Sequence, residues 1–121
     1  MNVLVVDDSS TMRRIVRNYL RGIGYTEIAE AENGASAFEQ LSKQPAGLVI
    51  TDWNMPVMDG LSFLRAFRAE FGPDNPPVVF CTTENDMAHI AAAIESGAQE
   101  YIMKPFDEEI LVGKLAQVGL S

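Results

Sequence analysis

Three short, wholly apolar runs constrain this chain more than anything else in it: Val3-Leu4-Val5-Val6, Leu48-Val49-Ile50 and Val78-Val79-Phe80-Cys81. Runs this short, rich in β-branched residues and without polar alternation, read as strands covered on both faces. Each ends at polar residues: the first at Asp7, the second at Thr51-Asp52 and the third at Thr82. Two further segments are mixed. Thr26 to Glu32 interleaves Ile28, Ala29 and Ala31 with Glu27, Glu30 and Glu32, and Glu100-Tyr101-Ile102-Met103 leads into Lys104-Pro105. Charge of that density belongs at a sheet edge.

Helical spacing fills the gaps. Met12, Ile15, Val16 and Tyr19 form a stripe behind a Ser9 or Ser10 cap, and Gly22 and Gly24 stop that helix. Ala37, Phe38 and Leu41 mark a second helix between the Asn33-Gly34 turn and Pro45. A third runs from about Gly60, with Leu61, Leu64, Phe67 and Phe71 inward and Arg65, Arg68 and Glu70 outward; residues 72–77 are a loop by composition. A fourth spans Glu84 to Ser96, with Met87, Ile90, Ala91 and Ile94 toward the core. In the last, Asp107, Glu108 and Glu109 suit the positive end of a helix whose buried stripe is Leu111, Leu115 and Val118. Five β-α units with short, right-handed crossovers give an α/β fold: a five-stranded parallel sheet with five helices on its two faces. Apolar strands in the middle and mixed ones at the edges are satisfied by the flavodoxin-like order 2-1-3-4-5, with residues 1–121 forming one domain.

Composition narrows the function. The chain has 121 residues, 47% of them hydrophobic, which suffices for one core. Its net charge of −8, from 17 acidic and 9 basic side chains, argues against direct nucleic-acid binding and suits a cation or a basic protein surface. The single cysteine, Cys81, excludes an internal disulfide and fits a reducing cytoplasm. No apolar run approaches the roughly 18 residues of a transmembrane helix. Val3 to Val6 is too short for a secretion signal and lacks a basic flank.

The strand ends carry the chemistry. In the 2-1-3-4-5 layout Asp7, Asp8, Asp52, Thr82 and Lys104 lie at or just past the carboxyl ends of four strands, where open α/β sheets bind ligands. Taken alone, Asp52 reads equally as a turn or cap residue. In company it is one of three acids in one crevice, and like charges so placed call for a cation. A hard divalent ion with oxygen ligands answers, Mg²⁺ best, because it binds through a few carboxylates and keeps room for water and phosphate oxygens. Carboxylates also accept phosphoryl groups.

With Val6-Asp7-Asp8-Ser9, Ser10 to Asn18, Asp52-Trp53-Asn54-Met55-Pro56, Met58-Asp59-Gly60, Thr82, Gly97-Ala98, Tyr101 and Lys104-Pro105-Phe106, the sequence resembles a response-regulator receiver domain over nearly its whole length. The resemblance implies a two-component signalling protein. Asp52 would be the phosphoacceptor; Asp7, Asp8 and Asp52, with the Asn54 backbone carbonyl, would hold Mg²⁺; Thr82 and Lys104 would read the phosphoryl group. Tyr101 would be the switch that turns inward when Thr82 moves, and the Lys104-Pro105 bond would be cis. Asn54 and Glu84 would set the phosphoryl lifetime, and the branched Thr83 would crowd the entrance. A histidine kinase would donate, and a downstream protein such as a flagellar switch component would receive the signal. A phosphatase is a further candidate partner, and the chain itself would be a cytoplasmic monomer rather than an enzyme.

Other readings compete. The chain could be a receiver cut from a longer regulator. A flavodoxin-like cofactor protein shares the sheet order, but Asp7-Asp8 would repel a flavin phosphate. A phosphatase with an aspartate nucleophile usually carries a second acid two residues on, where this chain has Asn54. No Gly-x-Gly-x-x-Gly follows the first strand, so a dinucleotide site is excluded. His89 falls off the fourth helix's stripe and reads as solvent-facing, Cys81 as inert core, and Trp53 as a partly exposed loop residue. Arg13, Arg17 and Arg21 make a stripe that is either solvated or a kinase dock, and Ala91, Tyr101 and the last helix are a candidate output face by resemblance.

Overall fold

The three apolar runs form the middle of a single parallel sheet. The computed structural model describes residues 2–72, 76–83 and 87–119. Strands β1 (Asn2–Val6), β2 (Glu27–Ala31), β3 (Leu48–Thr51), β4 (Val78–Thr82) and β5 (Glu100–Met103) lie in the order β2-β1-β3-β4-β5, all parallel. Helices α1 (Ser10–Gly22), α2 (Gly34–Lys43), α3 (Gly60–Phe71), α4 (Met87–Glu95) and α5 (Glu108–Gln117) alternate with them. The expected architecture is present in full, and the acidic β2 and mixed β5 are its edges.

Strand alternation divides the core in two. Leu4, Val6, Val49, Val78 and Phe80 face α2, α3 and α4, where they meet Ala37, Leu41, Phe63, Leu64, Phe67 and Ala93. Val3, Val5, Leu48, Ile50, Val79 and Cys81 face α1 and α5, against Val16, Leu20, Leu111 and Leu115. Caps set the helix starts. The side chains of Ser9, Asn33, Asp59 and Asp107 each accept a first-turn backbone N–H, and Glu108 and Glu109 follow Asp107 at the positive helix end.

Four expectations are corrected. On α4, Met87 is 82% exposed, Ile94 is 45% exposed and Ala91 is also exposed; Ala93 is the residue turned fully inward. The helix is apolar nearly all round, so spacing alone could not select its inward face, and its approach to the sheet is made on an alanine. On α3, Phe71 is 43% exposed at the helix end, whereas Arg68, expected outside, is buried. Its guanidinium donates to the Gly97 carbonyl (3.1 and 3.0 Å) and to Gln99 Oε1 (2.8 Å). Trp53 is buried rather than partly exposed, packed on Phe80. His89 is half-buried rather than solvent-facing, with its ring 4.7 Å from that of Trp53 in an edge arrangement.

Candidate functional site

Parallel pairing decides which residues meet. Val6 lies opposite Thr51 and Thr82 opposite Met103, so Asp7 and Asp52 emerge side by side and Lys104 follows at the tip of the next strand but one. The ladder continues one step past the strands. Asp52 N–H donates to the Val6 carbonyl (2.9 Å), Asp7 N–H to Ala31 (3.1 Å) and Lys104 N–H to Thr82 (2.9 Å). The N–H groups of Asp7, Asp52 and Lys104 thus carry the strand ladders one residue into the site.

The side chains converge on one ammonium. Lys104 Nζ donates to Asp7 Oδ2 (2.8 Å) and Asp52 Oδ2 (3.1 Å), with all three side chains largely shielded from solvent. The remaining carboxylate oxygens are held by backbone: Ser9 N–H donates to Asp7 Oδ1 (2.9 Å) and Trp53 N–H to Asp52 Oδ1 (2.7 Å). Burial alone would lower the Lys104 pKa, but the hydrogen bond to Asp7 and the charges of Asp52 and Asp7 outweigh it and raise the pKa above the usual lysine value. Lys104 is thus a fixed cation at neutral pH. Burial pushes the Cys81 thiol up to about 12, with the Lys104 charge opposing only in part, which leaves Cys81 a protonated core side chain.

Asp8, exposed at the rim, completes the acidic set. One ligand oxygen from each of Asp7, Asp8 and Asp52 lies within 4.8 Å of the others. Three carboxylates and one lysine leave local negative charge, and the oxygen-only donor set with an open side at Asp8 suits a hard divalent cation that keeps part of its water. The geometry therefore fits a metal centre.

The other predicted residues sit around this core. Thr82 is fully buried at the tip of β4, on the same face as Phe80 by strand alternation. Tyr101 is buried with its ring stacked 6.0 Å from Phe80. The Lys104-Pro105 bond is cis. Asn54 and Thr83 are exposed near the site. Glu84 lies outside the described residues.

Several structural supports escaped sequence reasoning. A Cβ on Gly60 would collide with the Asp52 carbonyl oxygen, and Gly60 N–H donates to the Trp53 carbonyl (2.8 Å). Helix α3 thus begins pressed against the candidate phosphoacceptor, an approach only glycine permits. Gly34 does the same for the following loop: its N–H donates to Met58 O (2.9 Å), which a Cβ would meet at 2.8 Å. Between them Val57 stands almost wholly in solvent at φ 69°, a region a β-branched residue rarely enters. Asp59 caps α3 in the structure, and an acid before an apolar run is a cap signal available in the sequence; the close approach at Gly60 has no sequence counterpart.

This arrangement matches a known family. The model of the response regulator receiver domain matches residues 3–116. The chain belongs to that family. As a receiver, it is a two-component response regulator. It is 44% identical over 119 residues to the chemotaxis protein CheY homolog of Campylobacter jejuni, covering 98% of this chain and 92% of the relative. Among solved structures it resembles the chemotaxis response regulator CheY4 of Vibrio cholerae, with 34% identity, a TM-score of 0.88 and 97% of each chain covered. It also superposes on a DNA-binding response regulator of the LuxR family from Staphylococcus aureus, with 25% identity, a TM-score of 0.87 and the same coverage. Receivers named for chemotaxis and for DNA binding thus share this fold, so the fold by itself does not select an output.

Proposed function

We propose that Asp52 accepts a phosphoryl group, that Asp7, Asp8 and Asp52 with the Asn54 backbone carbonyl hold Mg²⁺, and that Thr82 and Lys104 read the phosphorylated state. The observation that carries this reading is the Lys104 ammonium bridging Asp7 and Asp52 at 2.8 and 3.1 Å. A cation already resting on an Asp52 oxygen is placed to meet a phosphoryl oxygen once the carboxylate becomes an acyl phosphate. Bound Mg²⁺ would neutralise charge on the transferring group. The chain's own residues orient the nucleophile: Trp53 N–H holds one Asp52 oxygen and Lys104 the other. Transfer from a phosphohistidine donor breaks its P–N bond and forms a P–O bond to Asp52, the released imidazole taking a proton from water. The buried Thr82 hydroxyl then donates to the phosphoryl group, and its displacement is passed to Tyr101 on the same face.

A histidine kinase is the donor in this reading. The chemotaxis names of the relatives support a target such as a flagellar switch component, docking on the surface of Ala91 and α5 that overlies the buried Tyr101, and a phosphatase that resets the signal. The acidic charge is unfavourable for direct nucleic-acid contact and favours a monomer through self-repulsion, and the single Cys81 fits a reducing cytoplasm. Among the described residues no helix is long and apolar enough to cross a membrane. Exposed Asn54 admits water beside Asp52, and together with Glu84 it supports a short phosphoryl lifetime, while exposed Thr83 slows donor entry.

The test is incubation with acetyl phosphate and Mg²⁺, read by intact mass. The expected result is one added phosphoryl group, absent in Asp52→Asn and absent when the metal is chelated. No addition under any metal condition overturns the assignment.

A further inference from the structure

Arg13 lies outside the set of groups that meet the phosphoryl group, yet it holds one of them in place. Its Nη1 donates to the Asp7 carbonyl and its Nε to Glu30 Oε1 (3.0 Å). Arg17 Nη1 donates to the other Glu30 oxygen (2.7 Å). Glu30 is itself anchored, since its backbone carbonyl accepts from Gln40 Nε2 (2.8 Å) on α2. These contacts are not a loose surface pair: the Arg13 side chain is 17% exposed and Glu30 30%. They join α1, β2 and α2 to the residue where β1 ends.

The consequence is geometric. Asp7 is gripped through its N–H by Ala31, through its carboxylate by Ser9 and Lys104, and through its carbonyl by Arg13. The Asp7 carbonyl belongs to the rigid peptide plane that leads into Asp8. Fixing that plane fixes the direction in which the exposed Asp8 side chain departs. We propose that Arg13, oriented by Glu30, is a positioning residue for the cation site: it sets the Asp7–Asp8 peptide so that Asp8 faces Asp7 and Asp52. This rests on the reading that the three acids hold Mg²⁺, and it identifies which groups outside the donor set determine how well they do so.

Electrostatics and positioning predict opposite results, which makes the proposal testable. A cation beside three acids competes with a metal, so charge alone would make Mg²⁺ bind more tightly when Arg13 is neutralised. A positioning role makes it bind more weakly, by about tenfold, as for other groups that orient metal ligands. Mg²⁺ affinity is measured by titration calorimetry on the full chain, for the parent protein, Arg13→Lys, Arg13→Gln, Glu30→Gln and the double variant Arg13→Lys/Glu30→Gln. Lys43→Gln, at an exposed pair on α2, serves as a remote control for charge. The expected result is weakening in all three single variants, including Arg13→Lys, which keeps the charge but loses the fork. The double variant should be little worse than either single one, because the residues act as one unit. Phosphorylation by acetyl phosphate should keep its rate at saturating Mg²⁺ while its half-saturating Mg²⁺ rises. Should Arg13→Gln fail to fold, Arg13→Lys, which keeps the charge, carries the test. An unchanged Arg13→Lys, or tighter binding by Arg13→Gln, overturns the proposal while leaving the metal site intact. Absence of Mg²⁺ binding by the parent protein overturns both.

Discussion

Helices α3 and α4 cover the same face of the sheet, but they are held very differently. Helix α3 buries Gly60, Phe63, Leu64, Phe67 and Arg68, while α4 buries Ala93 alone and leaves Met87 and Ile94 in solvent. The α3 N-terminus is pressed on Asp52 through Gly60, so the helix is part of the site's frame. Besides the packing of Ala93, Ile90 and Ala92 on the core, helix α4 is tied near both ends. The turn after its C-terminal end is tied by Arg68 to Gly97 and Gln99, and toward its N-terminal end His89 meets Trp53, the neighbour of Asp52. A helix with few buried contacts opens or shifts at low free-energy cost, whereas one packed along its length does not. The difference teaches that the frame around Asp52 is densely packed on the α3 side and sparsely packed on the α4 side.

The strongest way to break this comparison is Gly60→Ala. The added methyl collides with the Asp52 carbonyl, so we expect a loss of about 3 kcal/mol or more in urea unfolding and loss of acetyl-phosphate labelling. Normal labelling in a stable Gly60→Ala variant would mean that α3 is not part of the frame. Next, Leu64→Ala should cost about 2–5 kcal/mol. Ile94→Ala, at a half-exposed position on α4, should cost less than about 1 kcal/mol in the same denaturation assay. Similar losses at the two positions would remove the contrast.

Arg68→Met keeps the stem of the side chain but removes the tie to the turn after α4. We expect about 1–3 kcal/mol of destabilisation. Amide exchange should accelerate more in α4 than in α3; uniform acceleration would place the tie elsewhere. His89→Ala is expected to cost about 1 kcal/mol, the scale of one aromatic contact. It should change Trp53 fluorescence, and phosphorylation should then produce a smaller change in that fluorescence than in the parent protein.

The opposite face of the sheet supplies a control with a defined pH dependence. Cys81, among the residues facing α1 and α5, has its thiol raised from 9.0 to about 12. A raised acid keeps its proton in the fold while the unfolded chain loses it. Stability is therefore unaffected below about pH 9 and falls between about 9 and 12, at up to ~1.4 kcal/mol per pH unit from this group. Lys104, also raised, acts in the same direction at its alkaline end. Urea midpoints measured across this range should fall less steeply in Cys81→Ala, while the difference in exchange between α3 and α4 persists.

The sheet was legible because its evidence is local. Apolar runs at 3–6, 48–50 and 78–81 require burial on both faces, mixed strands tolerate an edge, and chain-order crossovers leave few topologies. The acids and the lysine were legible for the same reason: a residue that ends a parallel strand is placed by the strand, so Asp7, Asp8, Asp52, Thr82 and Lys104 could be assigned to one crevice in advance. Helix faces were legible in part where apolar and polar residues alternate: Val16, Leu111 and Leu115 are buried as expected, while Leu20, the most deeply buried residue of α1, lay outside the expected stripe. On α4, with apolar residues nearly all round, tertiary packing alone selected Ala93 over Ile94. Charged residues were the least legible. Arg68 and Arg13 carry the same solvated signature as Arg65 or Arg21, yet one is buried against Gly97 and the other holds the Asp7 carbonyl. Their partners lie 29 residues away in one case and close by in the other, and a guanidinium's fate depends on which acceptors the fold leaves unsatisfied nearby. Sequence by itself therefore determined the architecture and which acids and lysine meet at the strand ends. Only the tertiary structure decided how tightly each is held, because close approach, shared carbonyls and helix phase are set by atoms that meet from distant parts of the chain.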